Sequence, residues 1–164
     1  MDLESNWPQG YHLVQGSSLD RARLVATIGS AYAELGATQL GHLTKTVELY
    51  LTSPSTLWWL EKSGSTARVG FTATQSDTLG CLWLGPSINQ LTGELQAYIY
   101  LVYVAPTYRR QGLGRKLMEH AKQWASHEGY SQLSLQVFTK NAPALKLYKS
   151  LGYQTQATLL TLEV

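Results

Sequence analysis

Apolar residues recur along this chain with two different periods, and the change from one to the other marks its elements. "YHLV" (11–14) reads as a short first strand. Leu24, Val25, Ile28, Ala31 and Leu35 then fall at helical spacing; Gly36 closes the pattern, and Ser17 or Ser18 can cap its start. A second helix is predicted from about Leu40 to Leu51, with Leu40, Leu43, Val47 and Leu51 on one face and Pro54 just past its end. "TLWWLEK" (56–62) follows as a strand and "SGST" (63–66) as a turn. Residues 63–77, which include "ARVGFTATQ", admit two readings, a strand or an insertion loop. "TLGCLWLG" (78–85) is a firmer strand, and "GPSINQLTG" (85–93) is a loop by composition. "LQAYIYLVYV" (95–104) is the strongest strand signal, apolar at nearly every position, as expected of a central strand covered on both faces.

Beyond it, Leu113, Leu117, Ala121 and Trp124 mark the buried face of an amphipathic helix that ends near Gly129. "QLSLQVF" (132–138) is another strand. "NAPALKLYKSLGY" (141–153) is a compact helix with Asn141 as N-cap, Pro143 in its first turn, Gly152 as C-cap, and Ala144, Tyr148 and Leu151 on one face. "YQTQATLLTLEV" supplies a last strand. Strand, two helices, several strands, helix, strand, helix and strand make a mixed α/β sheet with helices on its faces, and residues 1–164 form one domain.

Composition narrows the function. The 164 residues carry 13 Lys+Arg against 11 Asp+Glu, a formal charge of +2, too mild to imply a nucleic-acid partner. The single cysteine, Cys81, excludes an intrachain disulfide and fits a reducing compartment; inside "LGCLWLG" it reads as a buried thiol. Four scattered histidines and one cysteine give no metal-ligand cluster, so no metal is expected. The polar start "MDLESNWPQG" has no hydrophobic signal region behind it, and "AYIYLVYVA" is too short to cross a bilayer. The expectation is a soluble cytoplasmic protein without a membrane partner.

One stretch asks for more than core and surface: "YLVYVAPTYRRQGLGRKLMEHAKQWA" (100–125). Pro106 cannot donate to a sheet ladder and ends the strand. Gly112 and Gly114 sit where the next helix begins and let backbone approach a ligand. The helix start brings unpaired N–H donors and a partial positive charge, and Arg109, Arg110, Arg115 and Lys116 surround it. The plain reading is a solvated basic helix start; the sharper one is an anion cradle. A nucleotide P-loop is absent, and Leu117 replaces the third glycine of the dinucleotide fingerprint G-x-G-x-x-G.

"VAPTYRRQGLGRKLM" resembles motif A of the GNAT superfamily of N-acetyltransferases, R/Q-x-x-G-x-G/A, carried here by Arg109, Gly112 and Gly114. "NAPALKLYKSLGY" resembles that family's second motif, an Asn opening a helix, then Ala, Tyr and Leu-Gly-Tyr. The resemblance implies the GNAT fold, a mixed, mostly antiparallel sheet whose fourth and fifth strands splay apart, with helices on both faces. It implies acetyl-CoA in that cleft as acetyl donor. The pyrophosphate would meet backbone N–H groups of Gln111, Gly112, Leu113, Gly114, Arg115 and Lys116, and Arg109 or Arg110. Val104 would bond the pantetheine through its backbone, the N–H of Val102 would face the thioester carbonyl, Asn141 would reach the pantetheine arm or a water, and Tyr148 would protonate the departing thiolate. Tyr148 also has a plain reading as a core residue of its helix.

The same resemblance implies direct attack by a primary amine within a ternary complex, and a possible homodimer. Some relatives place a carboxylate on the fourth strand as base. This strand has none, and Tyr98 stands near that place. Glu94, His42 or water remain as candidates, and the acceptor, a small molecule or a peptide amine, is open. "ELGATQLGHLTK" (34–45) would wall the acceptor site, with Trp58, Trp59, Trp83, Tyr98, Tyr100 and Tyr103 as aromatic surface. The alternative is a non-catalytic module that binds CoA or acetyl-CoA and regulates a partner.

Overall fold

The computed structural model describes residues 7–52, 55–63 and 78–163. Pro54 and most of the stretch 63–77, for which strand and insertion were both open, lie outside these described residues. Among them the order is β1 (Tyr11–Gln15), α1 (Arg21–Glu34), α2 (Leu43–Tyr50), β2 (Thr56–Lys62), β3 (Gly80–Ile88), β4 (Leu95–Val104), α3 (Leu113–His127), β5 (Leu133–Leu135) and α4 (Ala142–Ser150). The strands form one sheet in chain order, antiparallel throughout except for the parallel pair β4–β5.

Local chemistry explains most boundaries. Ser17 and Asp20 form a capping box on the short 3-10 turn that leads into α1. Helices α1, α3 and α4 all end the same way, with a left-handed glycine (Gly36, Gly129, Gly152) whose neighbour's N–H returns to a carbonyl of the last turn. The second helix starts at Leu43, later than its apolar pattern predicts, because Leu40 reaches the core from the preceding loop.

Two apolar layers flank the sheet. α1 and α2 pack Leu24, Ile28, Leu43 and Val47 against Leu57, Trp59, Cys81, Trp83 and Leu101. α3 and α4 pack Leu117, Met118, Ala121, Trp124 and Tyr148 against Trp58, Leu82, Leu84, Ala97 and Ile99. Burial pushes the Cys81 thiol far up, so it is an inert core group.

Strand β4 contains the irregularity that matters. Trp83 pairs with Leu101 but Leu84 pairs with Ile99, which leaves Tyr100 as an extra residue. An extra residue reverses side-chain alternation. Ala97 and Ile99 accordingly face the α3 layer, whereas Leu101 faces the α1 layer and Val102 and Val104 return to the α3 side. The even residues of β4 are only half-buried, so its cover is less complete than its unbroken apolar sequence suggests.

Three predicted elements are corrected. Gly85 to Ile88 belong to β3 rather than to a loop. Ala97 donates to Gln132 on the β5 side, so the opposite Pro86 turns its nitrogen away from β4, past the end of β2, where a missing donor costs nothing. Residues 154–163 form no strand: no described strand receives them, and Leu159, Leu160 and Leu162 stay exposed. β5 is also shorter than "QLSLQVF", because β4 and β5 part after the Ile99–Leu135 pair.

His120 on α3 stacks edge-on against Trp58 at 4.7 Å, is 4% exposed, and neither ring nitrogen has a hydrogen-bond partner among the described residues. Burial lowers its pKa below the ordinary 6.5. The unfolded chain therefore binds this proton more readily, and stability is lost as pH falls below about 6.5. His120→Leu should flatten that acid-side decline in denaturant midpoints measured between pH 7.5 and about 5; an unchanged slope would overturn the assignment.

Candidate active site

After β4, a short 3-10 turn (Pro106–Tyr108) leads into the loop 109–112 and the start of α3. Two residues of that loop hold left-handed backbone, Arg110 at φ 64° and Gly112 at φ 79°. Gly112 caps α3 with no side-chain bond to its first turn, so the leading N–H groups of the helix, Leu113 to Arg115, have no side-chain cap. Gly114 serves packing as well: a Cβ there would lie 3.4 Å from Leu147 of α4. The Leu113 side chain is core.

The four cations differ sharply. Arg109 donates through Nε to the Val104 carbonyl at 2.8 Å and through one terminal nitrogen to Glu34 Oε1 at 2.9 Å, the same nitrogen lying 2.7 Å from Oε2. Arg115 donates to Ser150 at 2.7 Å, and Lys116 pairs with Glu119 at 3.0 Å. Of the four, Arg110 alone has no such partner among the described residues. Gln111 accepts a bond from Tyr11 of β1 at 3.0 Å, which ties the loop to the sheet.

Beside this loop lies the edge of β4 that β5 leaves uncovered. Ala105 donates to Leu79 on the β3 side. Alternation turns the backbone groups of Val104 and Val102 to the other side, and Arg109 on the Val104 carbonyl confirms that direction. Beyond Ile99 no described strand pairs with β4 there. Val102 packs against the layer that contains Tyr148, so the structure brings those two residues into one cluster.

Tyr148 is 9% exposed, stacks on Tyr153 at 5.8 Å, and has a pKa pushed up to about 12 by burial. Asn141 caps α4, its side chain accepting from the Ala144 N–H at 3.3 Å. Its amide nitrogen is not used by that cap.

On the opposite side of the split, the end of α1 forms a wall. Tyr32, Leu35, Gly36, Ala37, Phe138 and Lys140 line a cavity of about 140 Å³. Lys140 reaches across it to donate to the Leu35 carbonyl. Tyr32 meets Phe138 edge-on at 6.1 Å, and the Tyr100 ring lies between those of Tyr50 and Tyr98, at 5.3 and 5.4 Å. Burial raises the Tyr98 pKa, with the Tyr32 hydroxyl adding to the effect. Trp58, Trp59 and Trp83, expected as possible acceptor surface, belong to the core instead.

The candidate bases are not drawn together. Glu94 sits in the exposed β3–β4 hairpin with Thr92, eight residues before Val102 and so about 26 Å away along an extended strand. His42 is exposed at the start of α2. Glu34 is the carboxylate that sequence reading missed. It is 75 residues from Arg109 in the chain, and no local motif announces the pairing.

A family model described as Acetyltransferase (GNAT) family matches residues 33–153. The ribosomal protein bS18-alanine N-acetyltransferase of Escherichia coli K12 is 33% identical over 105 residues, covering 62% of this chain and 67% of that protein. The thialysine N-epsilon-acetyltransferase of Bos taurus is 44% identical over 57 residues, 35% of this chain and 34% of that protein. A protein from Clostridium acetobutylicum described as a predicted acetyltransferase, solved with acetyl-CoA, superposes with a TM-score of 0.70 at 15% identity, covering 93% of this chain and 96% of that one. A ribosomal-protein-alanine N-acetyltransferase from Brucella melitensis superposes at 0.67 and 14% identity, covering 94% and 99%. The two superpositions speak to the fold.

An L-residue in left-handed backbone carries a strain of about 1 kcal/mol that glycine lacks. Arg110→Gly should therefore leave stability to urea unchanged or raise it by up to about 1 kcal/mol. A clear loss would mean that the Arg110 side chain braces the loop.

Proposed function

Because the chain belongs to the GNAT acetyltransferase family, we propose that it moves the acetyl group of acetyl-CoA to a primary amine by direct attack in a ternary complex. The observation that carries this reading is the uncapped α3 start, with left-handed Arg110 and Gly112, beside a β4 edge left open by β5. The donor set fits a pyrophosphate: backbone N–H groups from Gln111 to Arg115, a helix start, and a guanidinium on Arg110 with no partner among the described residues; the Lys116 N–H, expected in the same cradle, is instead bonded to the Gly112 carbonyl at 3.1 Å. Arg109, spent on Val104 and Glu34, braces this loop.

Along the open edge, the N–H of Val104 is free to bond an extended pantetheine as a neighbouring strand would. The Val102 N–H lies one alternation further in, where it can donate to the thioester carbonyl as negative charge builds on its oxygen. Asn141 can offer its amide nitrogen to the same arm while its oxygen caps α4. Attack by the neutral amine forms the C–N bond and breaks the C–S bond; the surplus proton on nitrogen passes to solvent, and negative charge is left on sulfur.

Tyr148 answers that charge. With a pKa near 12 it is protonated at any working pH, so its hydroxyl is always a donor. Its role is to donate that proton to the leaving sulfur, whose own pKa the same burial raises. The acceptor is a primary amine, as the names of the bacterial and bovine relatives suggest, and the alanine α-amine of a peptide is the first to try.

Two measurements test this. Calorimetry should show micromolar acetyl-CoA binding that weakens roughly tenfold in Arg110→Gly, the loss of one charge-assisted contact; equal affinities would remove Arg110 from the site. Against a panel of amines led by an alanine-initiated peptide, Tyr148→Phe should lower kcat by at least about tenfold with the KM for acetyl-CoA unchanged. Neither protein should show a kcat decline from tyrosine ionisation below about pH 11. Undiminished turnover in Tyr148→Phe would return that residue to the core.

A further inference from the structure

Arg109 does something that its place in a phosphate-loop motif does not require. Its guanidinium joins three elements: the loop it begins, the last carbonyl of β4 (Val104, 2.8 Å), and both carboxylate oxygens of Glu34 at the end of α1 (2.7 and 2.9 Å). The Tyr103 ring lies 5.9 Å from the guanidinium carbon, and burial together with the charge of Glu34 holds the pKa of its hydroxyl up. Immediately after Glu34 the chain forms the cavity wall, Leu35 to Ala37. On the far side, Lys140, from the segment after β5, holds the Leu35 carbonyl. The end of α1 is thus fastened to both arms of the split sheet, to the β4 arm by Arg109–Glu34 and to the β5 arm by Lys140–Leu35.

We propose that Glu34 is a positioning residue that couples the donor loop to the acceptor wall through Arg109. This inference rests on the donor-site reading given above. An anion seated on the N–H groups of 110–115 restricts the loop, and Arg109 is part of that loop. Glu34 is held by a charge-assisted hydrogen bond and an ion-pair contact from one nitrogen of Arg109, so it follows, and the wall 35–42 becomes ordered with it. The pair is partly solvated, with 42% and 34% of its side chains exposed, so it adds little to global stability. It is placed to transmit order between sites rather than to hold the fold.

The test is hydrogen exchange with and without saturating acetyl-CoA, read at 110–116 and at 32–42, in the wild type and Glu34→Gln. In the wild type both segments should gain protection, the second by about fivefold or more. In Glu34→Gln the loop 110–116 should still be protected while 32–42 is not. Protection of 32–42 in both proteins, or in neither, overturns the coupling. Failure of acetyl-CoA to protect 110–116 in the wild type removes the donor-site reading, and the coupling with it. Should Glu34→Gln melt far below the wild type, Glu34→Asp, which keeps the charge but withdraws it by one methylene, gives the same contrast.

Discussion

A single extra residue in β4 organises this molecule. Tyr100 has no partner of its own between the Trp83–Leu101 and Leu84–Ile99 pairs. Its insertion reverses which face each side chain meets and turns the backbone groups of Val102 and Val104 away from β3. The same interruption coincides with the end of pairing to β5. The result is an exposed strip of backbone donors inside a closed domain, an arrangement that a regular central strand cannot offer because both its edges are spent. Everything proposed for the donor site depends on that strip facing the start of α3.

The loop at the end of the strip is built economically. Side chains that look like ligand groups in the sequence are mostly committed inward: Arg109 to Glu34, Arg115 to Ser150, Lys116 to Glu119, Gln111 to Tyr11. They hold the backbone in shape and leave the leading N–H groups of α3, Leu113 to Arg115, without a side-chain cap. A site made of main chain is less exposed to side-chain rotamer disorder, and the committed cations still leave a positive field around it.

Much of this was legible in the chain. β4 and its unbroken apolar run, the face of α3 marked by Leu113, Leu117, Ala121 and Trp124, and the Asn141 and Gly152 ends of α4 all stand where periodicity and capping chemistry put them. The bulge was not legible, because a strand that is apolar at every position from Ala97 to Val104 leaves no hydropathy trace when its alternation reverses. The Glu34–Arg109 pair was hidden by sequence distance. Pro86 misled the reading of β3, since its cost depends on which way its nitrogen points, and that is a property of the neighbours. The tail 154–163 has strand composition but finds no described edge, and composition cannot supply a partner.

The absence of any carboxylate from β4 has a kinetic consequence for the choice of acceptor. Without a base on that strand, an amine would have to shed its proton to solvent before attacking. At neutral pH an α-amine of pKa near 8 is about a tenth neutral, whereas a lysine side chain near 10.4 is neutral in well under a thousandth of molecules. The difference, roughly two to three hundredfold, arises before any contact with the protein. Such an enzyme would sort chain ends from side chains by their basicity alone, and its selectivity would narrow as the medium becomes more alkaline.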